Sequence, residues 1–146
     1  MTKTNQGSAE CAFCSIVSGL ELAREVFRSS ACVGFFPDHP AVLGHTLVVP
    51  RKHIPDLLSL DRPTAHALAD AVRGLAPALL EATGADGLNV IQSNGRAAGQ
   101  TVFHLHVHLV PRRQGDRMPD LWPADKDWAK QDLDQVRRMT REILGL

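Results

Sequence analysis

Apolar positions along the chain follow two different periods. REVFRS (24–29) and ACVGFF (31–36) predict two short strands joined by a tight turn. Pro37, Asp38, His39 and Pro40 then force a loop, and HTLVVP (45–50) predicts a buried strand closed by a proline. From Asp61 to Thr83 the period lengthens. Leu68, Val72, Leu75 and Leu79 recur three and four apart, the spacing of an amphipathic helix. Asp61 suits its N-cap, Pro63 its first turn and Gly84 its end, while Pro77 predicts a kink or an early finish. Strand character returns in GLNVIQS (87–93). It returns again, after the flexible connection NGRAAGQ (94–100), in VFHLHVHLV (102–110), which Pro111 is expected to end. Lys130 to Leu146 reads as a second helix with Leu133, Val136 and Ile143 as its apolar contacts. The order predicts an α+β fold: an antiparallel sheet of about five strands, one main helix packed on it and a C-terminal helix. Residues 1–9 are expected to be a disordered polar tail and residues 10–146 a single domain.

Composition narrows the class without naming a function. Hydrophobic residues at 44% and charged residues at 22% are ordinary globular usage, so a real core is expected in a chain of 146 residues. Sixteen basic residues balance sixteen acidic ones, which argues against nucleic acid or an anionic membrane as partner. No signal-peptide core and no apolar run near ~18 residues is visible, which predicts a cytoplasmic protein with no membrane partner. Cys11, Cys14 and Cys32 are too few for a disulfide framework. Cys32 lies in a predicted strand and reads as a small buried hydrophobe.

Three of the seven histidines fall within five positions of the last predicted strand. Alternate residues of a strand share a face, so His104, His106 and His108 would line one side and Leu105, Val107 and Leu109 the other. At ~3.3 Å per residue the outer two stand about 13 Å apart, too far for one metal to collect all three. An adjacent pair can share a metal, as HxH pairs do. Otherwise the three have separate roles. Just upstream, Gly95 and Gly99 allow the backbone N–H groups to converge on an anion, and Gln100 and Thr101 add side-chain donors. Donors beside a neutral imidazole suit a phosphate, and histidine near its usual pKa of ~6.5 can attack phosphorus at neutral pH. CAFC (11–14) reads as a zinc knuckle, a redox pair or plain packing, and zinc needs two further ligands. His39 and His66 read as solvated side chains, and Trp122 and Trp128 as packing residues. Arg112 and Arg113 either reach a distal phosphate or decorate a loop.

GQTVFHLHVHLVPR, together with AECAFCSIVSGL near the start and GHTLVVPRKHI (44–54), resembles the histidine triad (HIT) superfamily, in its branch of small bacterial proteins. The resemblance runs from Cys11 to Arg113. It implies that His106 is the nucleophile, attacking the α-phosphorus of a nucleotide to form a nucleotidyl-histidine that water or another acceptor resolves. It implies that His108 contacts the phosphate and that His45 completes the pocket. It assigns Gln100 and Thr101 to the phosphate and leaving group and Asp38 to the ribose hydroxyls. Two positions depart from the family pattern. Asp38 stands one residue closer to His45, and Ser93 occupies the place where relatives carry Asn or Gln, with Asn94 as the candidate replacement. Relatives with the N-terminal cysteine pair bind structural zinc, which implies Cys11, Cys14, His53 and His104 as ligands here.

The implied activity is a nucleotidyl hydrolase or transferase acting on purine nucleoside phosphoramidates or dinucleoside polyphosphates. The protein would be a homodimer and use no organic cofactor. Two other functions compete: a nucleotide-binding regulatory module with little turnover, and a zinc-dependent hydrolase with its metal at His104 and His106.

Overall fold

A computed structural model describes residues 11–119 and 129–146, so the N-terminal tail, Trp122 and Trp128 lie outside the described residues. The described residues fall into two compact units, one ending at Asp116 and the other beginning at Arg117. In the first unit, helix α1 (Ala12–Ser18) precedes strands β1 (Arg24–Arg28), β2 (Cys32–Phe36) and β3 (Thr46–Pro50). Helix α2 (Arg62–Thr83) and strands β4 (Gly87–Ile91) and β5 (Val107–Arg112) follow. The five strands form one antiparallel sheet in the order β1-β2-β3-β5-β4. This is the expected α+β architecture.

Strand alternation divides the core between the two faces of the sheet. On one face Cys32, Val48, Leu105, Val107 and Leu109 meet Leu68, Ala71, Leu75 and Leu79 of α2. Val72, expected in that stripe, packs at its rim. On the other face Val33, Phe35, Leu47 and Val49 meet Cys11 and Phe13 from the α1 segment. Strand β3 therefore has apolar partners on both sides and is buried along its whole length. Asp61 caps α2 by accepting the Thr64 N–H, and Gly84 ends it in the left-handed conformation at φ 63°. Pro77 sits inside α2 and does not end it.

Strand boundaries differ from expectation at the end of β4 and at both ends of β5. Strand β4 stops at Ile91, before Gln92 and Ser93. Strand β5 begins at Val107 rather than residue 102, because the preceding backbone bonds elsewhere. The Leu105 N–H donates to the Ile54 carbonyl, and the His104 carbonyl accepts from the His106 ring. The face alternation nevertheless persists through this irregular stretch, with Leu105 still on the α2 side. Nor does Pro111 end β5. It pairs with Leu88 of β4, beyond the last β3 partner at Leu109, so no strand on the other flank needs its missing N–H.

In the second unit α3 (Lys130–Ile143) forms as expected. Leu133, Val136 and Ile143 are exposed, so the apolar contacts expected of them are not made within that unit. Among the described residues no helix is long and apolar enough to cross a membrane.

Candidate active site and metal centre

The chain leaving β3 and the segment entering β5 bring two groups of side chains together. The first begins at His106, on the sheet face covered by α1. Its Nδ1 lies 2.8 Å from the His104 carbonyl oxygen, which can only accept, so Nδ1 carries the proton and Nε2 a lone pair. Burial pulls the His106 pKa below its usual value, partly offset by that carbonyl, and the ring stays neutral. Phe13 meets the ring edge-on, with centroids 5.2 Å apart. The His108 ring also packs against His106, with centroids 4.9 Å apart and planes at 71°. His108 Nδ1 is 2.9 Å from His45 Nε2. Burial, then the neighbouring His106 and His45, push the His108 pKa down to about 4. The three rings form a neutral array with His108 at its centre and the unprotonated Nε2 of His106 at one end.

The second group is a cage of Cys11, Cys14, His53 and His104. Both cysteine sulfurs lie 3.5 Å from His104 Nδ1, and Cys14 Sγ lies 3.3 Å from His53 Nδ1. All four donor atoms fall within 4.8 Å of one another. A tetrahedral zinc, with bonds of ~2.3 Å to sulfur and ~2.0 Å to nitrogen, has S···N edges of about 3.5 Å, so the donor set fits. The tautomer fits as well. His104 Nε2 donates to the Pro50 carbonyl at 2.8 Å and leaves Nδ1 bare toward the sulfurs, the orienting second bond typical of a metal histidine. Without a cation the Cys14 thiol resists ionising. Burial, then Cys11 beside it, pushes Cys14 up to about 11, and a divalent ion would reverse that. His104 thus serves the cage with its ring and His106 with its carbonyl, so the two histidines do not share a metal.

Comparison with known proteins fits this geometry. Residues 22–115 match the HIT domain. The chain belongs to the HIT domain family. Adenylylsulfatase HINT3 of Arabidopsis thaliana is 33% identical over 116 residues, covering 80% of this chain but 57% of that protein. The chain therefore spans little more than half the length of that relative. Among solved structures, SMU.412c of Streptococcus mutans UA159 superposes with a TM-score of 0.88 at 34% identity, covering 99% of this chain and 91% of that one. A Zn-bound histidine triad family protein from Mycobacterium smegmatis superposes at 0.72 with 35% identity, covering 95% and 98%. The family is a nucleotide-binding one, and the cysteine–histidine cage together with that zinc-bound relative supports zinc binding here.

The remaining expected residues of the HIT site are placed less directly. Asp38 is exposed in the loop between β2 and β3, and Thr101 is exposed beside Gln100. The Gln100 side chain is almost fully buried. Its Nε2 donates to the Pro55 and Val102 carbonyls, and its Oε1 accepts the Gly95 N–H. That carboxamide holds the 94–100 loop in shape. Asn94 accepts from the Leu57 N–H and exchanges bonds with Gln92, which ties β4's end to the segment after His53. Arg112 pairs with Asp116 and Asn89, and Arg113 donates to the Thr83 and Gly84 carbonyls at the end of α2. Both serve local structure.

Three contributors escaped the sequence reading. Phe13 lies between two cysteines and reads as an ordinary apolar residue. The Ala41 N–H, which binds His45, is a backbone group with no signature of its own. Gly44 holds φ at 84°, and a Cβ there would meet Thr83 Cγ2 at 2.5 Å, so glycine is required immediately before His45. Only Gly44 was visible in principle, as a glycine at the mouth of a buried strand.

Proposed function

We propose that this HIT protein is a nucleotidyl hydrolase or transferase that cleaves purine nucleoside phosphoramidates or dinucleoside polyphosphates at the α-phosphate. The observation that carries the reading is the tautomer of His106, whose Nδ1–H is held by the His104 carbonyl while Nε2 keeps its lone pair. Nε2 attacks the α-phosphorus, a P–N bond forms, and the bond to the leaving group breaks with its electron pair. Water or another acceptor then attacks the same phosphorus, the P–N bond breaks with its electron pair returning to Nε2, and the proton the acceptor loses balances the one the leaving group gains. His108 binds the phosphate beside it, and Asp38 and Thr101 are assigned to the ribose and the leaving group. The similarity to a protein named an adenylylsulfatase favours an adenylyl group as the transferred unit. Cys11, Cys14, His53 and His104 would hold a structural zinc, which when bound cross-links the α1 segment to the sheet and takes no part in the chemistry. A homodimer would cover the free edge of β4, where Val90 is exposed, and light scattering at twice the 15.9 kDa chain mass checks it.

The direct test is AMP release from adenosine 5′-phosphoramidate, a diadenosine polyphosphate and adenosine 5′-phosphosulfate. Wild type is expected to release AMP from at least one of them, and His106→Asn to release none while still binding AMP. Binding of AMP by both proteins with no turnover of any substrate would overturn the enzyme reading in favour of a nucleotide-binding module.

A further inference from the structure

Of the three cysteines only Cys11 and Cys14 meet each other. Both sulfurs approach His104 Nδ1 at 3.5 Å, and they lie within 4.8 Å of one another. Cys11 stands at the N-cap of α1 and Cys14 in its first turn. With the sulfurs already this close, an S–S bond of ~2 Å needs side-chain rotation rather than movement of the sheet. Cys14 is half-buried and open to a small solute, whereas Cys11 is buried. Cys32 lies in the core on the α2 face of the sheet, out of reach of both.

The same two sulfurs tie α1 to the sheet. Their partners are His53, after β3, and His104, before β5. Phe13, between the cysteines in sequence, meets His106 edge-on at 5.2 Å. A disulfide would join the start of α1 only to its own first turn. The two imidazoles left over are half of a four-ligand site.

We infer that Cys11 and Cys14 form a redox switch: hydrogen peroxide closes them into a disulfide, the cage releases its zinc, and α1 with Phe13 loosens from the nucleophile. Metal-bound cysteines are thiolates, the form that peroxide oxidises. Cys14 Sγ attacks the O–O bond, an S–O bond forms and hydroxide leaves. Cys11 Sγ then attacks that sulfur, the S–S bond forms and a second hydroxide leaves. The two sulfurs together lose two electrons, the peroxide gains them, and two solvent protons turn the hydroxides into water. A dithiol reductant reverses the step and returns both ligands to the cage. The effect on turnover rests on the nucleotidyl-transfer reading, whereas the thiol chemistry does not.

The test treats zinc-loaded full-length protein with hydrogen peroxide. Released zinc is read with a chromogenic chelator, thiol state by intact mass and peptide mapping without reductant, and α1 by hydrogen exchange. Wild type is expected to lose zinc in step with a mass decrease of two hydrogens, mapped to a disulfide between Cys11 and Cys14. Exchange in residues 12–18 should accelerate. AMP release from adenosine 5′-phosphoramidate should fall by roughly tenfold, the lower end of the cost of disturbing the shell around a metal site. Reductant plus zinc should restore all of these, and Cys32→Ala should respond as wild type does. Zinc that stays bound through peroxide treatment would overturn the inference. So would zinc release with both thiols intact, or with cysteine sulfinic acid in place of the disulfide. A clean disulfide with unchanged exchange and unchanged turnover would overturn it as well. Wild type inactive on every substrate, yet cycling zinc, disulfide and exchange as expected, would instead count against the nucleotidyl-transfer reading alone.

Discussion

His108 illustrates how one residue can carry both chemistry and a stability cost. Burial and its two histidine neighbours hold its folded-state pKa at about 4, against ~6.5 for an unfolded histidine. Between those values the unfolded chain binds a proton that the folded chain refuses, so acid favours unfolding. The contribution of His108 is neutral above about pH 6.5, and stability falls progressively as the pH drops from there to about 4. Urea titrations at several pH values should show this slope, shallower in His108→Gln. An identical slope in the two proteins would mean that His108 is not the group responsible. At this scale the sequence was half legible. Period-two alternation identified the three histidines and their shared face, because side-chain direction follows from strand geometry. It could not show that the Gln100 amide is consumed by three backbone groups, since burial of a polar side chain depends on chain segments distant in sequence.

Helix α1 is only seven residues long and carries one buried side chain, Phe13. So short a helix is marginal by its own propensity. Its place is set by the cage at its start, where Cys11 and Cys14 meet His53 and His104. The same segment delivers Phe13 against both His104 and His106. Removing zinc should thus loosen α1 first and the nucleophile's surroundings second. Cys14→Ser is expected to lose most of its bound zinc and to melt at a lower temperature than wild type, with hydrogen exchange accelerating first in residues 12–18. Equal zinc content in the two proteins would remove Cys14 from the ligand set. Elements were legible wherever periodicity ran long, as in α2, whose cap residue and end both stand where the pattern put them. They were not where local bonds compete with the ladder. The start of β5 shifts because Leu105 bonds to Ile54, and Pro111 stays in the strand because β3 has already ended beside it. Neither fact is local in sequence.

Across the first unit, the sheet keeps two kinds of business on separate faces. α2 and its leucines close one side into an apolar core. The other holds the cage, Phe13 and the nucleophile. His104 joins the two groups on that face, its ring in the cage and its carbonyl on His106. The zinc-dependent hydrolase that the histidine row also suggested needs His104 and His106 to share an ion, and they address different partners. The covalent step tests this assignment most directly. A rapid quench in alkaline denaturant preserves a histidine–phosphorus bond, which is labile in acid. Intact-mass measurement of zinc-loaded protein mixed with adenosine 5′-phosphoramidate should then show one added adenylyl group, mapped by peptide fragmentation to His106. An adenylyl group on another residue, or AMP formed with no modified protein at any time point, would contradict a nucleophilic His106.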